Sequence, residues 1–264
     1  MTKLSGQVII VTGGTQGIGE AVALHAAQAG AAGVVITGRN RERGQNVASQ
    51  VDTAGTEALF VPADLGNVDE CRNIVHQCNE RFGRVDGLVN AAANTSRGTL
   101  EETSVEFWDL LFAINVRAPF LLIQEAARIM QRDNIAGSIV NILSVAAYCG
   151  QDNLVAYSST KGALRTLTKN TANGLRQHRI RVNGINLGWT DTPAEHAVQG
   201  EQGSPLDWLK TAESASPFGR LIKPDDVARL CMYLLSTDSG ILTGSTIDYT
   251  QRVMGVYPPD TGRS

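Results

Sequence analysis

Short runs of β-branched and aliphatic residues recur along the chain, separated by longer stretches whose apolar positions repeat with a helical period. The runs 8–12, 34–37, 58–61, 87–90, 138–143 and 181–185 read as strands, and 20–28, 107–130 and 155–177 are the clearest helical stretches. Repeated strand–helix–strand alternation implies parallel neighbours, because these need a crossover of that length. The expected fold class is therefore α/β, a doubly wound parallel β-sheet with helices on both faces, in a single domain over 1–256. Two stretches break the pattern. One is 189–218, where Pro193, Gly200, Gly203, Pro205 and Pro217 interrupt helix-compatible pieces. Placed after the sixth strand of such a sheet it overhangs the ligand crevice, so a lid is expected there. The other is the tail 257–264, rich in Pro and Gly, which is expected to be loose.

Composition narrows the function classes. With 264 residues, 42% hydrophobic and 19% charged, the chain can bury one sizeable core. Its net charge of -3 arises from 23 basic and 26 acidic side chains without a block of either sign, which argues against nucleic acid and anionic membrane as partners. Cys71, Cys78, Cys149 and Cys231 lack CxxC spacing, and His25, His76, His178 and His196 lack the spacing of a ligand set, so neither a disulfide framework nor a metal site is expected. The first six residues lead at once into a strand pattern, leaving no room for a signal peptide. No run approaches the ~18 apolar residues of a spanning helix. A reducing, cytoplasmic compartment is the expectation.

Candidate chemistry begins after the first strand, in Thr12-Gly13-Gly14-Thr15-Gln16-Gly17-Ile18-Gly19. Glycines between a strand and a helix let the backbone approach a pyrophosphate, whose charge is met by the helix amides. An ordinary tight turn has the same composition. Further on, Tyr157 and Lys161 lie four apart in a helical stretch and so share one face. An ammonium there is expected to lower the phenol's pKa from its usual ~10 and make it a usable proton-transfer group.

With these two motifs in order, the chain resembles the short-chain dehydrogenase/reductase family, of Rossmann-like fold, over nearly its whole length. The resemblance implies that Gly13, Thr15, Gln16, Gly17, Ile18 and Gly19 bind a nicotinamide dinucleotide, with Asp64 and Leu65 on its adenine side. Asn90 and Ala91 open a run, Asn90-Ala91-Ala92-Ala93, that stands where the family has NNAG. Ala93 in place of the glycine is expected to narrow the space beside the cofactor. Ser144, thirteen residues before Tyr157, matches the serine that orients the reacting oxygen, and Asn115 matches the asparagine whose carbonyl holds a water near the lysine. Tyr157 and Lys161 would also touch the cofactor. Thr192, in Leu187-Gly188-Trp189-Thr190-Asp191-Thr192, matches the contact to the nicotinamide carboxamide, while Leu187 replaces the usual proline and is expected to loosen the start of the lid.

At the end of the second strand an acid would bind a free ribose hydroxyl, but the chain has Arg39. An arginine suits a 2′-phosphate, which favours NADP(H) and leaves NAD(H) possible. Arg39 also reads as one of three solvated arginines with Arg41 and Arg43. Thr95, Ser96, Arg97, residues 148–153, Glu195, His196, Gln199 and Trp208 are the expected substrate wall, polar enough for a sugar or polyol. A ketone or 3-oxoacyl carbonyl is the competing substrate, and a nucleotide-binding regulator the competing class. Apolar faces of 107–130 and 155–175 suggest a homo-oligomer, a tetramer by resemblance, and Gln251 and Arg252 are candidates to reach a neighbouring subunit.

Overall fold

The computed structural model describes residues 3–254, so the predicted tail 257–264 and the last residues of the predicted domain lie outside the described residues. Seven strands, Val8–Thr12 (β1), Gly33–Gly38 (β2), Glu57–Pro62 (β3), Gly87–Asn90 (β4), Ser138–Ser144 (β5), Arg181–Leu187 (β6) and Thr246–Tyr249 (β7), form one sheet in the order β3-β2-β1-β4-β5-β6-β7. Every pairing is parallel. The six predicted strands all form. β7, Thr-Ile-Asp-Tyr, has too little apolar pattern to be read in advance and pairs only along the edge of β6.

Alternate strand residues feed opposite faces, as the two-residue period of a strand requires. Ile9, Val11, Val34, Ile36, Val140 and Ile185 pack with the helices Gly17–Gln28 (α1), Arg41–Thr53 (α2) and Pro224–Leu235 (α9). Val8, Ile10, Val35, Leu88, Ile139 and Val182 pack with Val68–Phe82 (α3), Ala118–Arg132 (α5) and Val155–Leu175 (α6). The remaining helices are Val105–Phe112 (α4), Pro193–Glu201 (α7) and Trp208–Ser214 (α8). The chain runs outward through β2 and β3 and then crosses back to β4, so strand order reverses between β1 and β4. A crevice opens there at the strands' carboxyl ends.

The predicted helix over 107–130 is in fact two. A π-helical turn, Ala113–Arg117, separates α4 from α5. Its cause is legible one turn later: Pro119 has no N–H to donate to the carbonyl of Asn115, so the α-helical ladder cannot run through. By length and composition alone the stretch Val105–Arg132 could cross a membrane, but 56% of its most apolar window is buried inside the fold. Leu122, Ile123, Ala126 and Met130 fill the core beneath the sheet.

Candidate active site

The Thr12 hydroxyl accepts from the backbone N–H groups of Ala91 and Ala92, both at 3.1 Å. This draws the chain after β4 against the turn after β1. Gly13 is required by that approach, since its φ is +66° and a Cβ would lie 2.8 Å from the Cα of Ala92. Gly19 is required by the turn itself, where a Cβ would come within 2.3 Å of the Gly13 carbonyl oxygen. Thr15 is buried against Gly38 and Ile18 packs on the core under α1. Gln16 caps α1 without a side-chain bond, so the first amides of that helix face the crevice with the polarity that suits an anion.

Around this loop the other predicted contacts fall unevenly. Asn90 donates to Asn141 at 2.8 Å, and Asn141 to Thr168 at 2.9 Å, while the Asn90 Oδ1 is buried with no partner among the described residues. Ala93 is exposed, and it is Ala92, one residue earlier, that lies against Gly13. The Asp64 carboxylate accepts from Gly66 N–H at 2.9 Å and closes a turn, with Leu65 half-buried beside it. Arg39 is exposed at the end of β2 and makes no side-chain hydrogen bond among the described residues. Arg43, from the first turn of α2, instead donates to the side chain of Gln16. A cation thus stands beside the glycine loop, a juxtaposition that spacing along the chain does not reveal.

Tyr157 and Lys161 do share one face of α6, with Lys161 Nζ 5.6 Å from the phenol ring centroid. Lys161 is 2% exposed and donates to the Ile142 carbonyl on β5 at 2.8 Å. Burial lowers its pKa to about 8. The expected lowering of the Tyr157 pKa is reversed: burial pushes the phenol up to about 12, and the Glu195 carboxylate adds to the rise, against the nearby Ser144 hydroxyl and the charge of Arg97. Desolvation of the phenolate outweighs its stabilising neighbours. Ser144 ends β5, where its hydroxyl accepts from Ala146 N–H at 3.1 Å.

Asn115 is buried at the centre of the π-helical turn, and its side chain is fully used. Oδ1 accepts from Asn94 N–H at 2.8 Å, while Nδ2 donates to the Asn94 carbonyl at 2.9 Å and to Thr160 Oγ1 at 3.1 Å. It therefore clamps the loop after β4 to α6 between Tyr157 and Lys161. Asn94 and Thr160 were not anticipated, because nothing in the spacing joins them.

Across the crevice, Thr192 caps α7 by accepting from Glu195 N–H at 3.2 Å, and a Cβ on Gly17 would meet Thr192 at 3.6 Å and Pro193 at 3.5 Å. The glycine loop and the start of 189–218 are thus in register. Leu187 prolongs β6 opposite Tyr249, and Gly188 N–H donates to the Tyr249 carbonyl at 3.0 Å. His196 is engaged by Asp191 at 2.8 Å and by the edge of Trp208, which also stacks on Trp189. Gln251 is spent within its own chain, accepting from Phe218 N–H at 2.9 Å. Beside the crevice lies a cavity of about 500 Å³ lined by Ser96, Arg97, Glu102, Asn153, Val198 and Gln202 with their neighbours Gly98 and Glu201. Among the described residues no cluster of His, Cys, Asp and Glu could hold a metal ion.

A family model described as enoyl-(acyl carrier protein) reductase matches residues 13–250. The NADP-dependent (R)-specific alcohol dehydrogenase of Lentilactobacillus kefiri is 32% identical, with 92% of this chain and 94% of that protein covered. The 2,5-dichloro-2,5-cyclohexadiene-1,4-diol dehydrogenase of Sphingobium indicum is 34% identical, with 92% and 94% covered. A short-chain dehydrogenase from Burkholderia cenocepacia, solved in complex with NADP, superposes with a TM-score of 0.84 at 30% identity, covering 94% of this chain and 98% of that one. A parallel sheet with a switch point, a glycine loop there, and a tyrosine, lysine and serine converging beside it agree with these likenesses: the chain belongs to the short-chain dehydrogenase/reductase family of nicotinamide-dependent oxidoreductases.

Proposed function

We propose that the protein is an NADP(H)-preferring dehydrogenase/reductase of a secondary alcohol or its carbonyl, with a sugar or polyol as substrate class. The polar cavity lined by Arg97, whose charge also reaches Tyr157, carries the substrate reading. Of its side chains only Val198 is apolar. A hydrophobic acyl chain would desolvate Glu102 and Glu201 without repayment, whereas hydroxyl groups replace their water. The cyclic diol named for the Sphingobium relative points the same way. For the cofactor, support comes from the absence of an acid at the end of β2, from Arg39 and Arg43, and from the NADP named for two relatives.

The residues present fit such a cofactor. Backbone closes so tightly at Gly13 and Gly19 that side chains are excluded, and the buried Asn90 Oδ1 has an unused acceptor. In this reading Gly13, Thr15, Gln16, Gly17, Ile18 and Gly19 hold the pyrophosphate, Asp64 and Leu65 flank the adenine, Asn90 and Ala91 border the far ribose, and Thr192 meets the carboxamide. The bound nicotinamide supplies or accepts the hydride. Tyr157 gives the proton to the carbonyl oxygen in reduction or takes it in oxidation, Ser144 orients that oxygen, and Lys161 holds its charge beneath. Asn115 fixes the loop and helix that frame them. One domain would carry both cofactor and substrate, 189–218 acting as its lid.

A homo-oligomer, a tetramer by family likeness, is part of the proposal. Val105, Leu110 and Phe120 are exposed apolar residues on α4 and α5, beside a groove of about 610 Å³. Nothing in the charge distribution invites nucleic acid or membrane, and a cytoplasmic setting suits the four free thiols.

The test is reduced-nicotinamide absorbance with both oxidised cofactors and a panel of sugars, polyols, simple secondary alcohols and a 3-hydroxyacyl thioester. Turnover with NADP and a polyol is expected. Preference for the thioester would replace the substrate reading, and tight cofactor binding without any turnover would favour a regulator.

A further inference from the structure

Glu195, in the first turn of α7, is held in an unusual way. Three donors from three segments converge on one oxygen, Oε1: Arg97 Nη2 at 3.3 Å from the loop after β4, Trp189 Nε1 at 2.9 Å from the end of β6, and Gln199 Nε2 at 2.7 Å from the next turn of α7. The side chain is only 15% exposed. Arg97 is itself steadied by Gln202 at 2.7 Å, and Gln199 by Ser204 at 2.6 Å. The other oxygen, Oε2, takes no hydrogen bond among the described residues. The carboxylate is thus fixed through one oxygen while an acceptor remains on the other. The Glu195 N–H donates to Thr192 Oγ1 at 3.2 Å beside Gly17 of the glycine loop. Its partner Arg97 follows Asn94, which Asn115 ties to Thr160 on the Tyr157 helix. Glu195 thus lies at the crevice, where its charge acts on the phenol and Arg97 lines the polar cavity.

We propose that Glu195 is a specificity-determining residue whose Oε2 accepts a hydrogen bond from a second hydroxyl of the substrate, neighbouring the one that reacts at Tyr157. This rests on the reading of the Tyr157 site as an alcohol/carbonyl site and makes its substrate class more definite: a neutral vicinal diol or cyclic polyol. The pair Arg97–Glu195 is neutral as a whole, so no net charge invites an anion. A substrate carboxylate reaching Arg97 would also have to displace Glu195, leaving a poorly solvated carboxylate unpaired. A neutral hydroxyl displaces nothing.

Glu195→Gln distinguishes this role from a structural one. The three N–H donors hold the amide oxygen where Oε1 stood, which puts the amide NH₂ in the place of Oε2. An acceptor becomes a donor with little change of shape. A hydrogen bond to a charged group contributes about 1.5–3 kcal/mol, roughly ten- to hundredfold. The wild-type protein is therefore expected to oxidise cyclohexane-1,2-diol with kcat/KM at least about tenfold above cyclohexanol, and E195Q to bring that ratio close to one. A second readout follows from charge. Those bearing on Tyr157 are Glu195 from α7, Arg97 from the loop after β4, and Lys161 on α6 itself. Loss of the Glu195 charge should move the rise of oxidation with pH to lower pH. A wild-type ratio near one, which needs no variant, or a ratio unmoved in E195Q, would overturn the proposal and leave the alcohol-site reading standing. Turnover of neither alcohol with either cofactor, while a thioester or simple ketone turns over, would overturn both the polyol reading and this proposal.

Discussion

At Tyr157 two effects compete, and their balance sets the pH at which each direction of the reaction finds the phenol in the form it needs. The sequence places an ammonium one helical turn away, and from spacing alone the phenol should be acidified. The folded chain shows burial winning, with Tyr157 up to about 12 and Lys161 down to about 8. Which residues meet was therefore legible from YxxxK and from Ser144, but the sign of the phenol's shift was not, because desolvation depends on what covers the side chain. Near neutral pH the phenol holds its proton, ready to give to a carbonyl oxygen. Alcohol oxidation needs the phenolate, whose fraction grows as pH rises toward that raised value. Steady-state profiles should then show kcat/KM for oxidation climbing from pH 7 to 9. Reduction should stay level below about 8 and decline above it, as Lys161 loses its charge first and Tyr157 its proton later. An oxidation optimum at or below pH 7 would contradict this ordering. Tyr157→Phe should lower turnover by roughly 10²–10⁴-fold, with cofactor affinity by fluorescence titration within about threefold of wild type.

The π-helical turn between α4 and α5 shows what an element can hide. Apolar periodicity over 107–130 is continuous enough to read as one helix, and the period says nothing of a single inserted residue. Pro119 is the visible sign, since it removes the donor that Asn115 would otherwise meet. The turn delivers Asn115 sideways into two peptide bonds of Asn94 and the hydroxyl of Thr160. Asn115→Leu keeps the volume but leaves those buried groups unpaired, at about 1–3 kcal/mol for each group left without a partner. Thermal or urea unfolding should register that loss. The kinetic expectation is a tenfold or larger fall in kcat, because α6 and the loop after β4 are no longer held in register. Unfolding shifted without change in kcat would confine Asn115 to stability. Leu187, in the place of the family's proline, is paired with β7, an edge strand whose sequence gives too little pattern to be read in advance.

For the molecule as a whole, alternation of strand and helix was sufficient to anticipate a parallel sheet covered on both faces, since strands such as Val8–Thr12 are buried throughout and announce themselves as continuous apolar runs. Contacts between distant loops were not anticipated, whereas the apolar face of 107–130 was expected to seek a second copy, and the folded chain leaves part of it uncovered on α4 and α5. Phe120 is 43% exposed, and the groove beside it is lined by Phe112, Ala113, Val116 and Leu167, with Asp109 and Arg117 at its rim. Apolar surface of this kind, bounded by an acid and a base, suits a self-complementary contact in which the Asp109 of one copy can meet the Arg117 of another. Light scattering after size exclusion should accordingly give a mass above the 28.2 kDa of one chain. Phe120→Glu puts a charge in the middle of that face, where an identical charge from the second copy would oppose it. The assembly should fall to a smaller one at micromolar concentration while far-UV circular dichroism stays unchanged. If instead the wild-type chain elutes as a monomer, the α4–α5 face is not a self-contact. If Phe120→Glu retains the wild-type mass, the copies meet elsewhere, and the edge strand β7 becomes the surface to change next.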